Sequence, residues 1–133
     1  MTQSDDRRKR RVLVVDDYHD AAEITSSLVR LLGHESRVAN SGRAALEEAS
    51  RFAPEIVILD LGLPDIGGFD VARTLRIRAA GRPLHIAALT GWMQPWAREA
   101  AFAAGIDQYF IKPGNLEALL ERAVQGLAES RSR

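Results

Sequence analysis

Apolar residues fall along this chain in five short runs, each followed by a stretch with helical spacing. The runs are "RVLVVD" at 11–16, "ESRVA" at 35–39, "EIVILDL" at 55–61, "LHIAALT" at 84–90 and "DQYFIK" at 107–112, read as strands from their length and β-branched content. The stretches that follow them are "AAEITSSLVRLLG", "GRAALEEASRF", "GGFDVARTLRIRAA", "PWAREAAFAAG" and "NLEALLERAVQGLA". In the last, Leu116, Leu119, Leu120, Ala123, Val124 and Leu127 recur about every 3.6 residues, and Asn115 stands where an N-cap belongs. Gly33 and Gly105 lie just past helical stretches, where a left-handed residue ends a helix.

Within "VLVV" and "IVIL" the apolar positions are continuous rather than alternating, which marks strands covered on both faces, as parallel strands between helices are. Five such units predict a doubly wound α/β sandwich spanning 11–127. Residues 1–10 and 128–133 show no comparable pattern and are expected to form a flexible basic arm and a C-terminal tail.

The length of 133 residues suits one domain with one real core. With 46% hydrophobic and 27% charged residues, the composition is that of a soluble globular protein. No apolar run approaches the ~20 residues a bilayer requires, and no signal peptide is read. The absence of cysteine excludes disulfides and thiolate metal sites and fits a cytoplasmic location. A formal net charge of zero argues against direct nucleic-acid or anionic-membrane binding. The basic cluster Arg7, Arg8, Lys9, Arg10 and Arg11 sits beside Asp5 and Asp6 and reads as a solvated arm.

Polar residues concentrate where the strands end. Strand one runs into Asp16 and Asp17, strand three into Asp60, strand four into Thr90, and strand five into Lys112 followed by Pro113. In an open parallel sheet these ends form the ligand-binding edge. Taken singly, each residue reads as a turn or cap residue. Together the carboxylates would repel, by up to about 4 kcal/mol for a pair at 4 Å with an effective dielectric constant of about 20. A hard divalent cation with oxygen ligands, Mg²⁺ or Mn²⁺, would offset that. A carboxylate beside such a cation, with an ammonium and a hydroxyl aimed at the same point, is suited to nucleophilic attack on phosphorus. Asp60, alone on a central strand, is the candidate nucleophile; Asp17, and Asp16 through water, are the candidate metal ligands. His19, His34 and His85 are scattered, suggest no metal site, and read as surface or strand-edge residues.

The segments "VLVVDD", "ILDLGLPDIGGFD", "ALTGW" and "YFIKP", in this order and spacing, resemble the receiver domain of two-component response regulators over about residues 11–127. The resemblance implies a flavodoxin-like (βα)5 fold with a five-stranded parallel sheet in the order 2-1-3-4-5. It implies that Asp60 accepts a phosphoryl group from the phosphohistidine of a sensor histidine kinase or histidine phosphotransfer protein. Asp16, Asp17, Asp60 and the backbone carbonyl of Gly62 match the Mg²⁺ site, and Thr90 and Lys112 the groups that bind the phosphoryl oxygens. Tyr109 matches an aromatic switch, and Lys112–Pro113 a bond the family keeps cis, at a cost of about 1 kcal/mol for an X-Pro bond. The implied output surface is the fourth helix, fifth strand and fifth helix, which would contact a downstream protein or a second copy. Tyr18 and Gly114 depart from common family choices, and Trp92, two residues past Thr90, is expected to shield the acyl phosphate from water.

A stand-alone receiver acting as a signalling protein, phosphorelay shuttle or phosphate sink is the leading expectation. "ALTGW" also resembles receivers of hybrid histidine kinases, and a receiver excised from such a chain would read nearly the same. A haloacid dehalogenase type phosphatase would need an acid two residues after the nucleophile, where Gly62 stands. A flavodoxin-like FMN protein would need a phosphate loop where "DDYHDA" lies.

Overall fold

Successive side chains of a strand point to opposite faces, so a strand buried on both sides feeds two separate cores. The computed structural model of the chain, which describes residues 8–112 and 114–131, shows this division. Its elements are β1 (Arg11–Val15), α1 (His19–Leu31), β2 (Glu35–Ala39), α2 (Gly42–Phe52), β3 (Ile56–Leu59), α3 (Gly68–Ala79), β4 (His85–Thr90), α4 (Pro95–Ala103), β5 (Gln108–Ile111) and α5 (Leu116–Arg131). The strands pair in parallel in the order β2-β1-β3-β4-β5, as expected. Leu13, Val15, Val57, Leu59, Ile86 and Ala88 pack toward Ala45 of α2, Val71, Ala72 and Leu75 of α3, and Ala101 of α4. Val12, Val14, Ile56, Ile58 and Ala87 pack toward Ala22 and Val29 of α1 and Leu119, Leu120, Ala123, Val124 and Leu127 of α5.

Local chemistry sets the helix ends. Asn115 caps α5, its Oδ1 accepting the N–H of Ala118 at 3.0 Å, and Ser41 caps α2, its Oγ accepting from Ala44 at 3.0 Å. Gly33 and Gly105 both have positive φ, of 97° and 95°, and follow α1 and α4 as C-terminal stops.

Several positions differ from the sequence reading. Arg10, expected in a solvated arm, is 2% exposed, its guanidinium 3.2 Å from Glu55 and its N–H donated to His34 Nδ1. Glu55, at the foot of β3, also receives Arg8, so the cluster packs wherever that carboxylate reaches. At the other end α5 continues through Arg131 and takes in residues expected to form a tail. His85, read as a surface or strand-edge residue, is buried on β4 with its ring hydrogen-bonded to Gln108. A histidine on a strand between two others is enclosed whatever its polarity. Residues 1–7, Pro113 and residues 132–133 lie outside the described residues, and with them the expectation of a cis Lys112–Pro113 bond.

Candidate functional site

Parallel register brings the acids together. Val15 of β1 pairs with Leu59 of β3, and the N–H of Asp60 donates to the Val15 carbonyl at 2.9 Å, so Asp16 and Asp60 leave adjacent strands at the same height. Carboxylate oxygens of Asp16, Asp17 and Asp60 all lie within 4.8 Å of one another. Asp16 is buried, Asp60 half-buried and Asp17 exposed, which gives the cluster one open side. The Lys112 ammonium reaches in from the end of β5, 3.0 Å from Asp60 Oδ2 and 3.1 Å from Asp16 Oδ2.

Three strand ends are tied back by the same local bond. Asp16 Oδ1 accepts the N–H of Tyr18 at 3.0 Å, Asp60 Oδ1 that of Gly62 at 3.1 Å, and Thr90 Oγ1 that of Trp92 at 3.2 Å. An acceptor bonded to the amide two residues on is the usual turn chemistry of Asp and Thr. Here it orients each functional oxygen while leaving lone pairs open. Each of the two bonded aspartates has one oxygen on a backbone amide and the other on Lys112.

The electrostatics follow. Burial alone would lower the Lys112 pKa, but its hydrogen bonds to Asp60 and Asp16, together with their charges, outweigh it and hold the ammonium above the usual lysine range. One ammonium among three carboxylates leaves a net charge of about −2, which matches a divalent cation. Oxygen donors alone, clustered on an open side, suit Mg²⁺ or Mn²⁺.

Thr90 is buried at 1% exposure on the last position of β4. Tyr109 is half-buried on β5, and its hydroxyl donates to the Trp92 carbonyl at 2.6 Å. Burial raises the Tyr109 pKa, against the opposing charge of Arg98, so the phenol keeps its proton for that bond. Trp92 is therefore held at both backbone groups, its N–H by Thr90 and its carbonyl by Tyr109. Its indole packs against Phe69 at 6.2 Å and Trp96 at 6.0 Å between ring centroids. Gly62 lies below it: a Cβ there would stand 3.8 Å from Trp92 Cζ2 and 3.9 Å from Asp60 Oδ1.

Two supporting residues escaped the sequence reading. Asn40, just past β2, donates its amide to the Asp16 carbonyl at 2.8 Å and fixes the acidic loop from the neighbouring strand. Asp65 accepts the N–H groups of Gly42 at 2.8 Å and Arg43 at 3.0 Å, tying the loop after Asp60 to the start of α2. Backbone hydrogen bonds from Arg43, Gly42 and Ile66 lower its pKa to about 2. The signals were "NSG" and "LPDIGG", both legible as turns but silent about which turn meets which. The three histidines form no cluster.

Comparison with known proteins agrees with this geometry. Residues 12–124 match the family described as the response regulator receiver domain. The chain is 37% identical over 112 residues to the response regulator MprA of Mycobacterium leprae, covering 84% of this chain and 48% of that protein. It is 33% identical over 117 residues to the DNA-binding response regulator MtrA of Mycobacterium tuberculosis, covering 88% and 50%. The chain thus spans about half the length of these curated relatives. Among solved structures, the CheY-like response regulator receiver domain protein from Methanospirillum hungatei superposes with a TM-score of 0.84 at 24% identity, covering 94% of this chain and 98% of that one, a likeness of fold.

Proposed function

Because the chain belongs to the family of response regulator receiver domains, signalling domains of two-component systems that bind Mg²⁺ at an acidic pocket, we propose that Asp60 is its phosphoacceptor. The observation that carries this reading is the Lys112 ammonium spanning Asp60 and Asp16 beside the third carboxylate of Asp17. An oxygen of Asp60 attacks the phosphorus of a partner's phosphohistidine; the new O–P bond forms as the N–P bond breaks, and the electron pair stays on the histidine nitrogen. Asp16, Asp17, Asp60 and the Gly62 carbonyl would hold Mg²⁺, which when bound neutralises charge on the transferring oxygens. Lys112 supplies a further positive charge at the same oxygens. Its two present partners are one acid that reacts and one that does not, so it stays anchored by Asp16 while Asp60 changes.

Thr90 couples this event to the surface. Its hydroxyl proton is available to a phosphoryl oxygen, and turning toward it withdraws Oγ1 from the Trp92 N–H. Tyr109 grips the same residue from the other side, so the Thr90 and Tyr109 contacts change together. Trp96 and Phe102 on α4 and Ile111 at the end of β5 stand exposed beside them and form the proposed output face, for a protein target or a second copy.

The partner that delivers the phosphoryl group docks, in this reading, on α1. Ile24, Leu28 and Leu31 are exposed at spacings of four and three residues, Leu31 at 80%, and Tyr18 extends the stripe to the acid pair. An amphipathic helix carrying the phosphohistidine fits such a stripe.

Intact mass after incubation with acetyl phosphate or phosphoramidate tests the assignment. One added phosphoryl group is expected with Mg²⁺, none without it and none in Asp60→Asn; an adduct that survives in Asp60→Asn would refute it. Fluoroberyllate titration followed by Trp92 and Trp96 fluorescence separates a short-lived adduct from a site that does not react. Trp92→Ala should shorten the adduct's lifetime several-fold, since the indole flanks the same point as Asp60 Oδ1; an unchanged decay in the mass time course would remove the shielding role.

A further inference from the structure

At the end of the sheet opposite the acidic cluster, α3, β4, β5 and α5 line a cavity of about 590 Å³ that opens to solvent. Gly126 of α5 lines it close to β4, where a Cβ would fall 2.8 Å from His85 Nδ1. His85 and Gln108 form its inner wall, joined by a hydrogen bond between His85 Nε2 and Gln108 Oε1. Gln108 is 5% exposed, and its Nε2 is a buried donor with no acceptor.

The charges lining the cavity are three arginines against two carboxylates, Asp107 and Glu129. Arg76 is committed, its guanidinium bonded to Asp107 at 2.6 Å, the Gly105 carbonyl at 2.6 Å and the Leu84 carbonyl at 2.7 Å. Asp107 is committed in turn, since it also accepts the Ile86 N–H at 2.8 Å. Arg82 makes a 3.4 Å hydrogen bond to the Arg78 carbonyl, and neither it nor Arg122 has a carboxylate partner among the described residues. The cavity is thus rich in free donors and poor in free acceptors.

We propose that this cavity binds a small oxyanion ligand, a molecule carrying phosphate or carboxylate groups, held by Arg82 and Arg122, with the Gln108 amide, closed off from solvent, turning to become the inner donor. A guanidinium presents a planar fork that matches either oxyanion. Binding is linked to His85. The charged groups around that ring are Arg76 from α3, Asp107 from β5 and Arg122 from α5, with Arg82 and Glu129 lining the same space. Burial lowers the His85 pKa; Gln108 and Asp107 act against this, and Arg76 and Arg122 add to it. An anion between the arginines offsets their repulsion of a proton, so binding tightens as the pH falls and raises the His85 pKa. None of this depends on the assignment of Asp60.

The test uses the ¹⁵N-labelled, Mg²⁺-free chain titrated with pyrophosphate and, separately, with citrate, followed by NMR. Saturable shifts are expected at the Gln108 side-chain amide and the Arg82 and Arg122 Nε–H groups, with the amides of Asp16 and Asp60 unmoved and the His85 pKa raised. Stronger binding of pyrophosphate assigns a phosphate ligand, and stronger binding of citrate a carboxylate. The Arg82→Gln/Arg122→Gln double variant, changed only at exposed side chains, should keep its spectrum and lose at least tenfold in affinity. Shifts that fail to saturate, that centre on another surface, or that persist in the double variant would overturn the proposal.

Discussion

Lys112 stands between Asp60 and Asp16 at 3.0 and 3.1 Å, so it competes for the charge that would attract a divalent cation. Replacing it by methionine keeps its length and removes the competition. Mg²⁺ binding by Lys112→Met, measured by tryptophan fluorescence, should be roughly fivefold tighter, the equivalent of about 1 kcal/mol for a partly screened ion pair. Phosphoacceptance should nonetheless slow, because the charge at the transferring oxygens is lost. In the metal-free protein the pair itself stabilises the fold. Since the folded pKa of Lys112 is raised, that contribution is complete below the unfolded lysine value of about 10.4 and is lost as the pH rises through the folded value. The sequence named Lys112, Asp16 and Asp60 because each follows an apolar run. Asn40 was legible only as a turn residue, because its amide meets the Asp16 carbonyl from a strand end 24 residues away.

Among the elements, α2 shows how a helix terminus can organise a loop it does not belong to. Its first amides are taken by Ser41 from its own chain end and by Asp65 from the loop after β3. The two helix starts also touch that loop closely: a Cβ at Gly42 would lie 2.8 Å from Ile66 Cβ, and one at Gly68 would lie 2.6 Å from Leu61 Cα. Ser41→Ala should cost about 1 kcal/mol in urea unfolding, the usual loss of a side-chain cap. The Asp65 contribution has the opposite pH sense from that of Lys112. Its folded pKa is lowered to about 2, so its stabilisation is present above the unfolded value of about 3.9 and fades as the pH falls toward 2. Asp65→Asn should flatten that acid limb of the unfolding profile. Strands and helices were legible from period and caps, but the ends of α1 and α5 were not. α1 starts at His19 because the Asp16–Tyr18 turn feeds directly into it, and α5 runs to Arg131, well past the last apolar position that marked it.

At the scale of the whole molecule, two histidines have their pKa values lowered from the ordinary imidazole range. His34 accepts the N–H of Arg10 at Nδ1, and its pKa is lowered by burial and by the Arg10 charge, with Glu55 acting against them. His85 is lowered chiefly by burial. A folded pKa below the unfolded value of about 6.5 means that the unfolded chain binds more protons as the pH falls, so stability must drop from about pH 7 downward. Urea midpoints at pH 7.5 and 5.5 should show this loss, and His34→Gln, which can still accept the Arg10 amide but cannot ionise, should show less of it. An equal loss in the variant would place the effect elsewhere. Period, propensity and turn chemistry act over a few neighbouring residues, so the βα repeats, the two-faced burial of the strands and the polar groups ending four of the five strands could be read along the chain. Folding alone set the rest: Lys112 meets Asp16 across 96 positions, Asp65 caps a distant helix, Arg10 and His85 are enclosed, and a donor-rich cavity lies below β4 and β5. Those contacts depend on strand order and register, which bring together groups whose separation along the chain carries no record of their distance in space.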